Sequence, residues 1–468
     1  MTSFDRTESP ALRDADRSGA ADAPIATELG QTLKLAVPLA LTQLGQIAMM
    51  TSDLAMIGRL GAEAVAAAAL GQTVAFMSFV FAMGLVSAVA PLTAQAFGAD
   101  DAERLRRALR VGLWAALFIG LPVTLFQLFG EQILLLLGQS PASAALAGRY
   151  LDGMAWSALP GLWVIAIRGF MGSVNRPAPG LWIMLAAIPL NALLAYALIY
   201  GAFGLPALDM LGAGLATSFV NWSMLLASVI VARAVKPFAA YRVFAELFRI
   251  DWALLRELVV IGMPMSISFM LEYGVFGAAA LLMGVIGTAA VTAHQIALNT
   301  AAILFMVPFG IGMAATVRVG QSVGGHDGAA ARRAGWVAVG LGTAFMAVMT
   351  LAVLLARYDV AELFLGAGAD TVPATELTAA LLVVGATFFV ADGIQTVTVG
   401  ALRGMNDTRV PMLFAALSYW CIGFVTSCVL GFVAGLGAVG VWLGLSVGTA
   451  VYAALLIVRF RRLARRIG

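Results

Sequence analysis

Charge is what this chain has least of. Only 11% of its 468 residues are Asp, Glu, Lys or Arg, against 61% hydrophobic residues and a mean hydropathy of +0.95. A soluble domain of this length neither needs so much apolar residue nor tolerates so little charge. Cysteine is scarce too. Cys421 and Cys428 lie seven apart in one apolar stretch, which places them on one helix face as packing residues and excludes a disulfide framework. The two histidines, His294 and His326, are far apart in sequence and suggest no metal cluster. Gly-rich phosphate loops, metal-ligand spacing and a nucleophile beside a base are all missing, so no enzyme pattern appears.

What is present is long apolar runs and fifty glycines, the composition of closely packed membrane helices. Residues 1–30 are polar, with Pro10 and Pro24 and no apolar core, and are expected to form a disordered cytoplasmic tail, neither signal peptide nor span. Six apolar stretches follow, near 33–57, 65–96, 107–128, 146–171, 179–202 and 211–233. Six more lie near 254–284, 289–317, 334–356, 374–402, 410–433 and 436–459. Each is long enough, at about 1.5 Å per residue, to cross about 30 Å of hydrocarbon. The leucine run 133–137 is too short to span and belongs at the interface.

An even number of spans puts both termini on one side. That side holds 25 of the 28 lysines and arginines, Arg168 and Arg403 among them, and only Arg59, Arg149 and Arg357 face the other. The asymmetry predicts cytoplasmic termini and an inner-membrane protein. The expected organisation is a first lobe at 31–235, a cytoplasmic amphipathic linker at 236–253, a second lobe at 254–460 and a basic tail at 461–468. In the linker Phe238, Tyr241, Phe244, Leu247 and Phe248 recur at helical spacing among basic residues, which predicts a helix lying on the inner leaflet.

The halves repeat. A shift of 226 residues superposes Pro38 on Pro264, Gly84 on Gly310, Gln95 on Gln321, Gly98 on Gly324 and Asp101 on Asp327. Six spans per half preserve orientation, so the predicted fold is all-α and polytopic, with twelve transmembrane helices in two six-helix lobes related by pseudo-two-fold symmetry. The matched loops after Asp101 and Asp327 read as helix caps.

The intramembrane carboxylates break the repeat. Asp53 aligns with Ala279, Glu272 with Gln46 and Asp392 with Pro160, so each half has specialised. A carboxylate at bilayer depth costs about 2.5–3.5 kcal/mol and normally faces a bundle interior or a watery cavity. Asp53 ends the first span, with Gln46 and Gln43 preceding it; the alternative is a hydrated carboxylate near the outer interface. Pro38 removes a backbone hydrogen bond and can bend that helix. Asp392 lies eleven residues before Arg403, with Gln395 one turn on. Glu272 lies sixteen residues after Arg256, so helical rise puts the two acids about 16 and 24 Å from the inner edge, and they meet only if the helices tilt or kink. Phe388 stands beside Asp392, and Phe269 and Tyr273 beside Glu272; aromatic faces near a carboxylate suit a lipophilic organic cation, although packing is the commoner use. Asn191 and Asn221 fit interhelical hydrogen bonding and ligand contact equally well. For His294 a structural hydrogen bond is preferred over proton relay.

These residues resemble multidrug and toxic compound extrusion (MATE) transporters, specifically their NorM-like branch. The resemblance covers roughly 31–460 and rests on Pro38 with Asp53-Leu-Ala-Met-Ile-Gly, on LEYGVFG and AHQIALN, and on ADGIQTVTVGALRG followed by NDTRVPM. It implies two lobes around a central cleft that opens alternately inward and outward, exporting organic cations in exchange for Na⁺ or H⁺. It further implies that Asp53 is the first-helix aspartate, that Glu272 and Asp392, together with Asp53, are the cation-coupling residues, with Na⁺ at Glu272 and Asp392 if Na⁺ is the ion, and that Asn191 belongs to the first lobe's polar site. The fifth span here holds no acidic residue. The resulting expectation is an antiporter without a cofactor, whose partners are small organic cations and the bilayer, with neither nucleic acid nor an obligate protein partner, working as a monomer. Cavity residues are expected to be Asp53, Gln46, Asn191, Phe269, Tyr273, Phe388 and Gln395. A lipid-linked saccharide flippase of the same superfamily is the rival, and would need arginines in its cleft.

Overall fold

The computed structural model describes residues 25–366 and 372–467. The first 24 residues of the expected tail lie outside this range. Twelve helices in it are long and apolar enough to span a bilayer. In chain order they are α1 (Ile25–Gly58), α2 (Ala62–Gly98), α3 (Ala102–Leu128), α4 (Pro141–Ser173), α5 (Ala178–Tyr200) and α6 (Asp209–Ala234). The second lobe contributes α7 (Trp252–Ile286), α8 (Thr288–Gly324), α9 (Gly328–Leu355), α10 (Val372–Gly404), α11 (Arg409–Val433) and α12 (Gly437–Arg466).

Several local expectations hold at atomic detail. Asp101 and Asp327 cap α3 and α9, each accepting from a backbone N–H three residues on, at 2.8 Å in both cases. The leucine run forms a seven-residue helix, Gly130–Leu136, whose last leucine is exposed. Pro38 and Pro264 lie inside unbroken helices. Each prolyl carbonyl accepts from a hydroxyl one turn later, Thr42 Oγ1 at 2.7 Å and Ser268 Oγ at 2.8 Å.

Three expectations need correction. The linker is not a leaflet helix: one 3₁₀ turn at Phe238–Tyr241 is followed by further turns. Phe238 and Val243 are buried against α2, α3 and α4, and only Phe248 points out, 88% exposed. Arg110 and Trp114 of α3 donate to the carbonyls of Glu246 and Leu247, at 3.1 and 2.8 Å, which satisfies backbone groups a helix would have paired internally. The chain ends also differ. Helix begins at Ile25, inside the expected tail, because Glu28 is tied to the second lobe, and α12 continues through the expected basic tail to Ile467. Finally, α11 is wound as π-helix over Ala416–Phe424 and Val429–Val433. On it Cys421 is exposed and Cys428 half-buried, so Cys421 is not the packing residue the sequence suggests.

The lobes are joined by an exchange of first helices. The opening half of α1, with Leu35, Ala36 and Leu39, packs into the core of the second lobe. The opening half of α7, with Leu254, Leu258, Ile261 and Met265, packs into the first. Beyond the prolines each helix returns to its own lobe, through Met49 on one side and Val275, Ala279 and Met283 on the other.

Cross-lobe hydrogen bonds gather in the half of the molecule where α1 begins and α12 ends, here called the terminus side. They obey the pseudo-two-fold axis. Gln95 donates to Gly404 O at 2.8 Å and accepts from Asn406 at 2.9 Å. Its repeat partner Gln321 donates to Ser173 O at 2.8 Å and to Asn175 Oδ1 at 3.1 Å. Both asparagines sit in left-handed turns, φ 59° each. Glycine is required where the helices cross: a Cβ on Gly98 would lie 1.9 Å from Gln321 O, and one on Gly324 2.0 Å from Gln95 O. A bidentate ion pair completes the closure, with Glu28 accepting from Arg318 Nε at 3.0 Å and Nη2 at 2.8 Å.

Candidate functional site

The polar side chains of the second lobe converge on a cavity between α7, α8, α10 and α12. Helix α10 runs unbroken, so Asp392, Gln395, Val399 and Arg403 follow one another at i+3, i+4 and i+4 down one stripe. That stripe is drawn against α8 by two glycines: a Cβ on Gly400 would meet Gly312 O at 2.2 Å, and Thr316 Oγ1 donates to Gly400 O at 2.9 Å. From this stripe Gln395 reaches Glu272 of α7.

Glu272 and Asp392 do come together, but through a third residue. The Gln395 amide donates to Asp392 Oδ1 at 2.9 Å and to Glu272 Oε1 at 3.1 Å. Tyr419 OH reaches Glu272 Oε1 at 3.5 Å. Asp392 is buried, 5% exposed, while Glu272 is half-buried and lines the cavity. A neutral amide can orient two carboxylates without cancelling their charge. Carboxylate and hydroxyl oxygens are the ligand types that a hard monovalent ion or a proton takes.

Arg403 lines the same cavity, with its guanidinium 4.7 Å from the Phe269 ring centroid. It was read from the sequence as an inner-edge marker; its long side chain instead climbs the α10 stripe toward Glu272. Phe269 is a cavity residue as expected. Phe388 is not. It is 2% exposed, in an aromatic cluster with Phe276, Phe389 and Trp442, because its α10 face turns into the lobe core. Tyr273 stands edge-on to Phe76 of the first lobe at 5.1 Å, so it bridges the lobes instead of lining this cavity.

The first lobe has its own polar centre. Fully buried Asn191 donates from Nδ2 to Asp53 Oδ1, and its Oδ1 has no partner among the described residues. Gln46, expected beside Asp53, is exposed and makes no hydrogen bond to it among the described residues. Gln43 instead accepts from Arg168 at 3.1 Å. His294 has the structural role expected of it, taking a hydrogen bond on Nδ1 from Trp442 Nε1 at 3.1 Å.

Tyr419, Tyr452 and Arg403 were missed as site residues. The two tyrosines are polar groups isolated in apolar spans, and Arg403 lies eleven residues, three helical turns, below Asp392. Those were the available signals.

The sequence model of the MatE family matches residues 38–197 and 264–429, one copy in each lobe. The chain is 59% identical over 451 residues to a probable multidrug resistance protein NorM of Bradyrhizobium diazoefficiens, covering 96% of this chain and 97% of the relative. It is 61% identical over 439 residues to one from Rhodopseudomonas palustris, covering 94% and 93%. Among solved structures, a eukaryotic MATE transporter superposes with a TM-score of 0.84 at 21% identity, covering 95% of this chain and 98% of that one.

Proposed function

This chain belongs to the MatE family, in its NorM branch, and from that premise we propose that it exports lipophilic organic cations in exchange for Na⁺ or H⁺, by alternating access of its two lobes. The family, the twelve-helix fold and the relatives' description as multidrug resistance proteins agree on a multidrug efflux transporter. One observation supports the finer reading above the others: Glu272 and Asp392 share a single neutral donor, Gln395, beside a cavity. Two such carboxylates are satisfied by a proton, a metal cation or an organic cation. A site that takes any one of these exchanges one for another.

The lobes supply the direction. With the termini in the cytoplasm, as the 25 to 3 split of basic residues argues, the closed half is cytoplasmic and the arrangement faces outward. A cation changes the balance between the two states only through its different affinity for them. Glu272 and Gln395 come from different helices, α7 and α10, so movement of α7 relative to α10 alters the oxygen set the cation meets. Asp53 with Asn191 forms the second polar centre, on the far half of α1, the helix whose near half is clasped by the opposite lobe.

A lipid-linked saccharide flippase would need a cationic cleft for its pyrophosphate. Here the arginine among the lining residues, Arg403, shares the cavity with the Glu272 carboxylate and rests on the Phe269 ring. The test is efflux of ethidium from proteoliposomes under separately imposed Na⁺ and H⁺ gradients. Efflux driven by one of them is expected; efflux driven by neither would sink the antiport reading.

A further inference from the structure

Arg403 is the most conspicuous group that the proposed exchange leaves unused. Its guanidinium carries five N–H donors in a membrane span, yet makes no side-chain hydrogen bond or ion pair among the described residues. It rests on the face of Phe269, one turn of α7 before Glu272. Glu272, for its part, is held among the described residues by two neutral donors, Gln395 at 3.1 Å and Tyr419 at 3.5 Å. A half-buried cation and a half-buried carboxylate thus line one cavity without pairing among the described residues. That is costly unless something else completes the charge balance in one of the protein's states.

Resting on the reading of Glu272 and Asp392 as the cation site, we propose that Arg403 is its resident counter-ion, a tethered cation that an incoming ion or drug must outcompete. When the site is empty, the guanidinium leaves Phe269 and takes the charge of Glu272; when a cation enters, it returns to the ring. Three features support this. The aromatic face is a low-cost resting place for guanidinium, attracted by the ring quadrupole with no fixed partner to break. The arginine side chain is long enough to swing, whereas Gln395 is pinned by two carboxylates. The arginine also lies on the terminus side of the acids along the α10 stripe, so it approaches them from the closed half and leaves the opposite approach to the transported cation.

The consequence is a sign opposite to that of an ordinary binding residue: removing Arg403 tightens cation binding. A unit charge about 10 Å away in a medium of effective dielectric near 20 changes affinity by roughly tenfold. Ethidium binding to the purified transporter in nanodiscs, read by fluorescence polarisation, tests this. Arg403→Met keeps the stack on Phe269 without the charge, and Arg403→Gln checks it with a polar side chain. Both are expected to bind ethidium roughly five- to tenfold more tightly than wild type, and Arg403→Lys within about twofold of it. In transport, Arg403→Met should lower KM and kcat together, because a cation held more tightly leaves more slowly. The gain should vanish in Arg403→Met/Glu272→Gln. Unchanged or weaker binding in both neutral variants, or Arg403→Lys behaving like Arg403→Met, overturns the proposal. If Glu272→Gln alone binds ethidium as wild type does, the cation site itself is misassigned, an outcome distinct from an indifferent Arg403.

Discussion

Glu28 and Arg318 join the start of α1 to α8 in the opposite lobe, at 4% and about one-sixth exposure. In the closed arrangement both charges are largely withdrawn from water, and the prediction is that opening of the terminus-side half parts them. Removing one partner of a buried pair typically costs about 3–5 kcal/mol, because the other charge is stranded. Arg318 keeps a weaker contact to Gln321 Oε1 at 3.4 Å and has side-chain exposure of 17%, so a lower value applies. About 2 kcal/mol corresponds to roughly thirtyfold in the ratio of open to closed molecules, at about 1.4 kcal/mol per factor of ten. The reporter is Ala94, fully buried, whose Cβ faces Gly320 across the lobe interface. In nanodiscs, with Cys421 and Cys428 replaced by serine, Ala94→Cys should react with a hydrophilic maleimide some ten- to thirtyfold faster when Glu28→Gln is added. Double substitution Glu28→Gln/Arg318→Met should return part of the protection, since no charge is then stranded. Equal labelling rates in the presence and absence of Glu28→Gln would refute the idea that this pair holds the lobes shut.

Other consequences follow from the same geometry. Gly98→Val should abolish transport while leaving helical content near wild type, since its side chain would overlap Gln321 O in the closed half only; circular dichroism and dye efflux check it, and Gly324→Val should behave alike by the repeat. Asn191→Leu removes the donor to Asp53 and should lower thermal stability by about 1–3 kcal/mol, read by fluorescence-detected unfolding in detergent. Trp442→Phe leaves His294 Nδ1 without its donor and should cost about 1–3 kcal/mol while efflux per folded molecule stays near wild type; a change in the pH dependence of efflux would instead assign His294 to proton traffic.

The fold was legible because bilayer solvent writes strong signals. Span length, basic-residue asymmetry and the 226-residue repeat each pointed to twelve helices in two lobes. Gln95/Gln321 and Gly98/Gly324 are legible in the sequence as repeat matches, but that they clasp the two lobes together is set by the crossing of the helices. Helical spacing misled at the linker, where Phe238 and Tyr241 pack onto Phe170 of α4 and the carbonyls go to Arg110 and Trp114. Periodicity records which residues seek an apolar surface, and a protein groove serves as well as a leaflet. The acids of the site were visible because charge in a span is expensive. Their arrangement was not. Whether Phe388 lines a cavity or fills a core depends on the rotation of α10, and whether Arg403 marks an edge or reaches inward depends on a flexible stem. Neither is set by sequence spacing alone.

The central claim is that the Glu272/Asp392 cluster exchanges an inorganic cation for an organic one. Its most direct test is gradient-driven ethidium efflux in proteoliposomes, comparing Glu272→Gln and Asp392→Asn with wild type at matched protein levels. Each variant should lose roughly tenfold or more of the efflux that the productive gradient drives, with binding of ethidium weakened in parallel. Full efflux by both variants would contradict the account.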